Sequence, residues 1–305
     1  MSTETASRTE SRGILDRLRA SPFLSDLLSN RLALVGIVLI GLMVVVALYA
    51  RLFLDLEALL RTQLGENPTL AAPSAEFPFG TDRQARDILP RVLYGAWLAM
   101  LYGTITVGLS TVLGIGLGTL AAYYGDVTDN VIMRTMDVLL AFPSLLLALA
   151  IVSIFPDELG LWRAVIALTL VYIPRFARVI RGAALAVLED EFVDATIALG
   201  AKDTRVLLRH LFPNTLAPIT VQSTLNFGLA IIDIAALSFL GFGATAGTPS
   251  WGLMLSNGVR FGLLTGQWWW SLFPGLFLAI TVLGFNLLGD GMRDALDPRM
   301  REAID

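Results

Sequence analysis

The side chains that most often carry out chemistry are scarce in this sequence. Its 305 residues include one histidine, His210, one lysine, Lys202, and no cysteine. Paired-histidine metal sites, a thiol nucleophile and most Ser-His-Asp arrangements are therefore excluded. Lys202 stands in GAKDT, which lacks the G-x-x-x-x-G-K-[ST] spacing that wraps backbone N–H groups around phosphates. Acidic residues do gather, in DVTDN (126–130) and LEDEFVD (188–194). Carboxylates placed this way read as helix first turns, where they complement the positive dipole end, and as solvated loops. What remains is the chemistry of recognition rather than of bond making.

Recognition has an obvious candidate. Residues 189–214, EDEFVDATIALGAKDTRVLLRHLFPN, form a polar block between two long apolar runs. Glu189, Asp190 and Glu191 mark a helix start. Phe192, Ala195, Thr196 and Leu199 recur at helical spacing and define a narrow apolar face. Gly200 falls just past the helix end, where a left-handed backbone is needed. Asp203 or Thr204 is placed to cap a second short helix through Leu211, and Pro213 to break it. The face is thin and its start acidic, which suits docking on a protein better than lying on an anionic leaflet.

The elements that must position this block are membrane spans. The chain is 55% hydrophobic and 16% charged, against roughly 25% charged in soluble domains. Its formal charge of −4 implies no nucleic-acid partner. Uncharged or nearly uncharged runs suggest six spans, at about 32–50, 95–122, 131–155, 163–181, 215–243 and 271–290. The first is too long for a signal peptide and has no convincing cleavage site, so it is expected to be retained. Gly114 and Gly118 form a small-xxx-small pair that lets helices approach closely. With the N-terminus inside, the inner segments hold 15 of the 22 Lys and Arg residues. Both termini, 1–31 and 294–305, and the loop 182–214 are then cytoplasmic, and 32–293 is the transmembrane domain. The triplet Trp268, Trp269 and Trp270 reads as a membrane-interface cluster. Within the fifth span, Gln222, Asn226 and Asp233 are polar groups in an expensive place, so they are expected to line or gate a path or to pair with a neighbouring helix.

The block 189–214 resembles the EAA loop of ABC-importer permeases. Asp194, Ala195 and Thr196 stand at the Glu-Ala-Ala positions, Gly200 at the glycine and Phe212-Pro213 at the closing Leu-Pro. GTDRQARD (80–87) is similar to the GTD-x-x-GRD signature of the dipeptide/oligopeptide/nickel permeases, with Ala85 at the usual glycine. YGDVTDNVIMRTMDVLLAFPSLLLALA, ALSFLGFGA, TPSWGLML and FPGLFLAITVLGFNLLGDGMRDALDPR extend the resemblance from about Leu32 to Arg299. The finer likeness is to the C-type permeases of dipeptide importers.

That resemblance implies an all-α type I importer permease in a prokaryotic cytoplasmic membrane, with no cofactor of its own. It implies a homologous B-type permease, two ATPase subunits that bind ATP and Mg, and an extracytoplasmic binding protein that docks on 51–92 and 244–270. It also implies a coupling helix in which Glu191, Phe192, Asp194, Ala195, Thr196, Leu199, Gly200 and Ala201 contact an ATPase subunit. The translocation path would lie between the two permeases. Peptide is the expected cargo, with nickel chelates, glutathione or sugars as alternatives within the family. An ion-coupled secondary transporter is the competing class, and the internal repeat it would need is not evident.

Overall fold

A computed structural model describes residues 27–296; most of the N-terminal segment 1–31 and the tail beyond residue 296 lie outside the described residues. Within them the fold is helical, with two isolated bridges as the only extended pairing. Helix α1 (Arg31–Phe53) begins on Asn30, whose side-chain oxygen accepts from the N–H groups of Leu32 and Ala33. Its outward face, including Val38, Leu42 and Val45, is bare apolar surface suited to lipid. Helix α2 (Ile88–Tyr124) has 37 residues, about 55 Å at 1.5 Å per residue, so it outruns a roughly 30 Å hydrocarbon layer.

The third expected span, 131–155, is not one helix. It is divided into α3 (Asp126–Leu140) and α4 (Ser144–Val152), bent by 93° at the break. Pro143 lacks the N–H that would continue α3 and restricts the residue before it, which accounts for the corner. Then come α5 (Leu161–Leu188), α6 (Glu191–Ala198), α7 (Leu216–Phe239), α8 (Trp251–Asn257) and α9 (Trp269–Leu296). Among the described residues, α1, α2, α7 and α9 are long and apolar enough to cross a membrane, and the bent pair α3–α4 would make a fifth.

Helix α5 is outside that group because it carries Arg163, Arg175, Arg178 and Arg181. It is nonetheless the centre of the bundle, with Leu168, Tyr172, Phe176 and Ile180 fully buried. Its most extensive partner is α2, and two glycines make that contact. A methyl group on Gly114 would sit 2.3 Å from the Phe176 Cβ, and one on Gly118 would sit 2.6 Å from the Ala177 carbonyl oxygen. Gly116 between them faces open space. The spacing of four therefore marks a packing seam, as the small-residue pair suggests. Helix α9 uses the same device against α1, where a methyl on Gly291 would meet the Ala33 Cβ at 2.4 Å.

At the opposite end of the bundle from α6, the turn 80–87 is a buried knot. Asp82 Oδ1 accepts from the backbone N–H groups of Gln84 (2.8 Å) and Arg86 (3.0 Å). Its Oδ2 receives Arg86 Nε at 2.8 Å and Nη2 at 2.7 Å. Thr81 donates to the Pro68 carbonyl and accepts from the Ala71 N–H. Ala85 occupies a left-handed conformation, φ 61°, at a cost of about 1 kcal/mol relative to glycine. Asp87 caps α2 through the Leu89 N–H; burial raises its carboxyl above the ordinary value, and the cap bond acts the other way.

Two residues of the tryptophan triplet 268–270 are buried inside the chain instead of facing an interface. Trp269 and Trp270 are buried in a cluster with Ile88, Val92 and Met254, and only Trp268 is exposed. Gly80 lies so close to Trp269 that a methyl there would meet the indole at 2.7 Å, so the knot and the pair close over the start of α2.

The glycine seam gives a direct test. Gly114→Leu and Gly118→Leu should each push α2 off α5 and cost several kcal/mol, on the order of an overpacked core or worse. Gly116→Leu should leave yield and thermal stability close to wild type. Unfolding temperature and monodispersity of the detergent-solubilised chain distinguish the two outcomes.

Candidate functional site

The polar block becomes a short surface helix fastened from beneath. Helix α5 ends at Leu188, Asp190 holds an extended conformation, and α6 starts with Glu191 and Asp194 in its first turn. Gly200 ends the helix at φ 82°, its N–H donating to the Ile197 carbonyl at 2.9 Å. A left-handed residue at this position is what the sequence calls for, and a side chain there would be strained.

The apolar face expected from spacing points outward. Phe192 is 44% exposed and Leu199 89%, while Ala195, Glu191 and Asp194 are exposed as well. The fastening residue is one the spacing did not select: Val193, at 0% exposure. It packs with Ala122 of α2, Ala184 of α5, Val206 and Leu211, and Tyr123, Leu188 and Ala201 close the edges. Sequence reasoning missed Val193 because an eight-residue helix offers only one or two inward positions, too few for a periodic signal.

The two departures from Glu-Ala-Ala read differently in three dimensions. Thr196 Oγ1 donates to the Phe192 carbonyl at 2.7 Å, so its hydroxyl is satisfied within the helix and adds little polarity to the face. Asp194 keeps an exposed carboxylate on a shorter stem. The lone histidine, His210, packs its ring 5.9 Å from that of Phe192, tilted by 53°.

The segment after the glycine departs from expectation. Neither Asp203 nor Thr204 caps a helix: the turn Asp203–Val206 starts on Lys202, with no side-chain cap bond. The Asp203 carboxylate is drawn away by the last turn of α2, accepting from Tyr123 Oη at 2.9 Å and more weakly from Tyr124 Oη at 3.4 Å. Pro213 does not interrupt the chain's helical course either. A wide π-helical turn, Leu207–Leu211, and the turn Phe212–Asn214 lead into α7. Proline is tolerated there because it falls in the first positions of a helical segment, where its missing N–H has no intrahelical use.

Charge pairs tie α3 to α5 above this block. Arg181 forms a two-pronged pair with Asp129, Nη2 to Oδ2 at 2.6 Å, and Arg178 Nη2 reaches Asp137 Oδ1 at 2.7 Å. The second pair is half exposed on both sides and contributes no more than about 1 kcal/mol.

The second set of expected residues, Gln222, Asn226 and Asp233, shares one stripe of α7 by their spacing of four and seven. From first to last they cover about 16 Å of helix, and each has different surroundings. Gln222 lines an open cavity of about 540 Å³ with Val179, Pro218, Leu225 and Arg293. Asn226 is buried at 1% exposure, with its Nδ2 lacking a hydrogen-bond partner. Asp233 has a partner that the sequence could not name: Tyr172 of α5 donates to its Oδ2 at 2.7 Å. Arg175 lies over that tyrosine ring, 5.0 Å from the centroid.

Known proteins resemble this chain over most of its length. Residues 114–302 match the family described as "Binding-protein-dependent transport system inner membrane component". The dipeptide transport system permease protein DppC of Alkalihalophilus pseudofirmus is 44% identical over 276 residues, covering 90% of this chain and 88% of that one. DppC of Escherichia coli is 42% identical over 279 residues, covering 90% and 91%. A di/tripeptide transport system permease of Pseudomonas aeruginosa is 43% identical, covering 77% and 76%. Among solved structures, a chain of the MetNI methionine ABC transporter in inward-facing conformations superposes with a TM-score of 0.53 at 18% identity, covering 69% of this chain and 98% of that one.

Val193→Ala should loosen α6 without disturbing its outer face. Removal of two buried methyl groups from this cluster is worth about 2 kcal/mol. Hydrogen exchange followed by mass spectrometry should therefore show faster exchange across 191–201, with α2 and α5 protected as before. Unchanged exchange in that stretch would mean that Val193 is not the fastening.

Proposed function

The chain belongs to the family of binding-protein-dependent transport system inner membrane components, the permeases of ABC transporters, and on that premise we propose that it carries di- or oligopeptides inward across a bacterial inner membrane. The cargo reading rests on relatives at 42–44% identity whose names specify dipeptide transport. The proposed assembly pairs this chain with a homologous B-type permease, two ATPase subunits and an extracytoplasmic binding protein. ATP and Mg belong to the ATPase subunits, since the GAKDT sequence around Lys202 does not have phosphate-loop spacing.

In this reading the six spans are α1, α2, the bent pair α3–α4, α5, α7 and α9, and both termini are cytoplasmic. The placement of 15 of 22 Lys and Arg residues on one side supports that orientation. Helix α5 qualifies as a span by enclosure. Its arginines are supported by Asp157 and the Gly241 carbonyl for Arg163, and by Asp137 and Asp129 for Arg178 and Arg181.

One observation carries the mechanism: α6 presents Phe192, Ala195 and Leu199 to solvent while Val193 fixes it to α2 and α5. A leucine 89% exposed beside a half-exposed phenylalanine is poorly explained by a free surface and well explained by a groove on a partner. Glu191, Asp194, Thr196, Gly200 and Ala201 complete the proposed ATPase contact. Closure of two ATPase subunits on ATP would move α6, and Val193 would pass that displacement to the inner ends of α2 and α5. The path between the permeases would open or close along the α7 stripe of Gln222, Asn226 and Asp233.

Ala195→Trp and Leu199→Asp test this directly. Both positions are exposed, so membrane insertion and thermal stability should stay within about 0.5 kcal/mol of wild type. Co-purification of the ATPase subunit and ATP-dependent peptide uptake should both fall by an order of magnitude or more. Uptake should also persist when the proton gradient is collapsed. Full uptake in both variants would remove α6 from the mechanism.

A further inference from the structure

We propose that the cavity beside the 80–87 turn is a carboxylate site, in which Arg86 holds the C-terminal end of a small peptide. The cavity measures about 440 Å³ and is lined in part by Asp82, Arg83, Arg86, Asn257, Phe261 and Trp270. That size falls within the range of small-molecule sites. No residue of the α7 stripe lines it, and it forms within this chain alone.

The polar anchor is already built. Arg86 is 6% exposed, and its Nε and Nη2 are both taken by Asp82. Its Nη1 is buried and has no hydrogen-bond partner. A methyl group on Gly247, itself a lining residue, would lie 3.7 Å from that nitrogen, so Nη1 lies just behind the cavity lining, within reach of an acceptor that displaces little. A guanidinium nitrogen left unpaired away from water costs free energy that an incoming acceptor would recover.

The local charge favours an anion. Arg91 is also buried, donating to the Leu59 and Gly247 carbonyls. Two buried guanidiniums thus stand near one buried carboxylate, Asp82. Arg83 adds a third positive charge at the rim, 5.2 Å above the Phe261 ring. A low-dielectric recess with this excess focuses a positive potential. Arginine also matches the planar geometry of a carboxylate better than a lysine does.

The same contacts select which end of a peptide enters. Both Asp82 oxygens are occupied, one by two backbone N–H groups and the other by Arg86, so an ammonium group finds no free carboxylate oxygen on Asp82. Phe261, Trp270 and Leu253 offer apolar surface for the adjoining side chain, and Asn257 an amide for the peptide backbone. The choice of a peptide rests on the import reading given above; the preference for a carboxylate does not.

The test uses the full-length chain in detergent, titrated calorimetrically with Ala-Phe and with its C-terminal amide. Ala-Phe should bind at least about tenfold more tightly than the amide, the size of one lost charged hydrogen bond. Asn257→Phe, which fills the cavity and leaves the Asp82–Arg86 pair intact, should weaken Ala-Phe binding by about the same factor at an unchanged unfolding temperature. Arg86→Lys, which keeps a charge for Asp82 but loses the fork, should do likewise. Equal affinity for acid and amide, or undiminished affinity in folded Asn257→Phe, would overturn the proposal. Variants that lose uptake and binding-protein docking while keeping full peptide affinity would also overturn it, by assigning the cavity to an acidic side chain of that protein. Peptide uptake by the wild-type assembly separates the two claims. Uptake without acid selectivity at this site removes the cavity assignment alone, whereas acid-selective binding without uptake removes the import reading alone.

Discussion

The bundle depends on the close approach of α2 to α5. Gly114 and Gly118 let the backbone of α2 lie directly on Phe176, Ala177 and Ile180. This contact matters because α5 could not stand alone in a hydrocarbon layer. It carries four arginines, and a charged side chain at membrane depth must face protein or water. Neighbouring helices enclose its apolar face, and the arginines near its two ends find carboxylates and a carbonyl on the segments around it. A helix that fails a simple hydropathy test thereby has Leu168, Tyr172, Phe176 and Ile180 fully buried.

Enclosure of α5 also gives the proposed coupling a mechanical basis. A displacement at the membrane surface reaches the bundle only through parts that move together. The cluster of Val193, Ala184, Ala122, Val206 and Leu211 joins α6 to two long helices and to the lead-in of α7. The Asp203 carboxylate, held by Tyr123, adds a polar tie to the same corner. Farther along α5, Tyr172 meets Asp233 of α7, so the central helix touches both the α6 corner and the polar stripe. Proteins transmit small shifts over such distances through packed elements with few soft joints.

Much of this was legible in the sequence, and the failures have physical causes. Long apolar runs revealed α1, α2, α7 and α9, because lipid exposure demands uninterrupted hydrophobicity. Gly114 and Gly118 were legible as a seam because a spacing of four repeats one face of a helix. Gly200 was legible because few residues tolerate its conformation. Val193 was hidden by the shortness of α6. The pairing of Tyr172 with Asp233 joins residues 61 positions apart, which no local pattern encodes. The tryptophan triplet misled because its composition suits an interface equally well, and only tertiary packing buries two of the three. Asp203 was assigned to a cap by its neighbours in sequence, whereas two tyrosines from a different helix claim its carboxylate.

The central claim is that one side of α6 meets an ATPase subunit while the other side is sealed against this chain's own helices. Because the natural sequence has no cysteine, single cysteines can report the two sides separately. In the assembled transporter, Leu199→Cys should crosslink to an ATPase subunit bearing a cysteine in its facing groove, and the yield should change between ATP-bound and nucleotide-free states. Val193→Cys should remain unreactive in both. Crosslinking through position 193 with none through 199 would contradict the account.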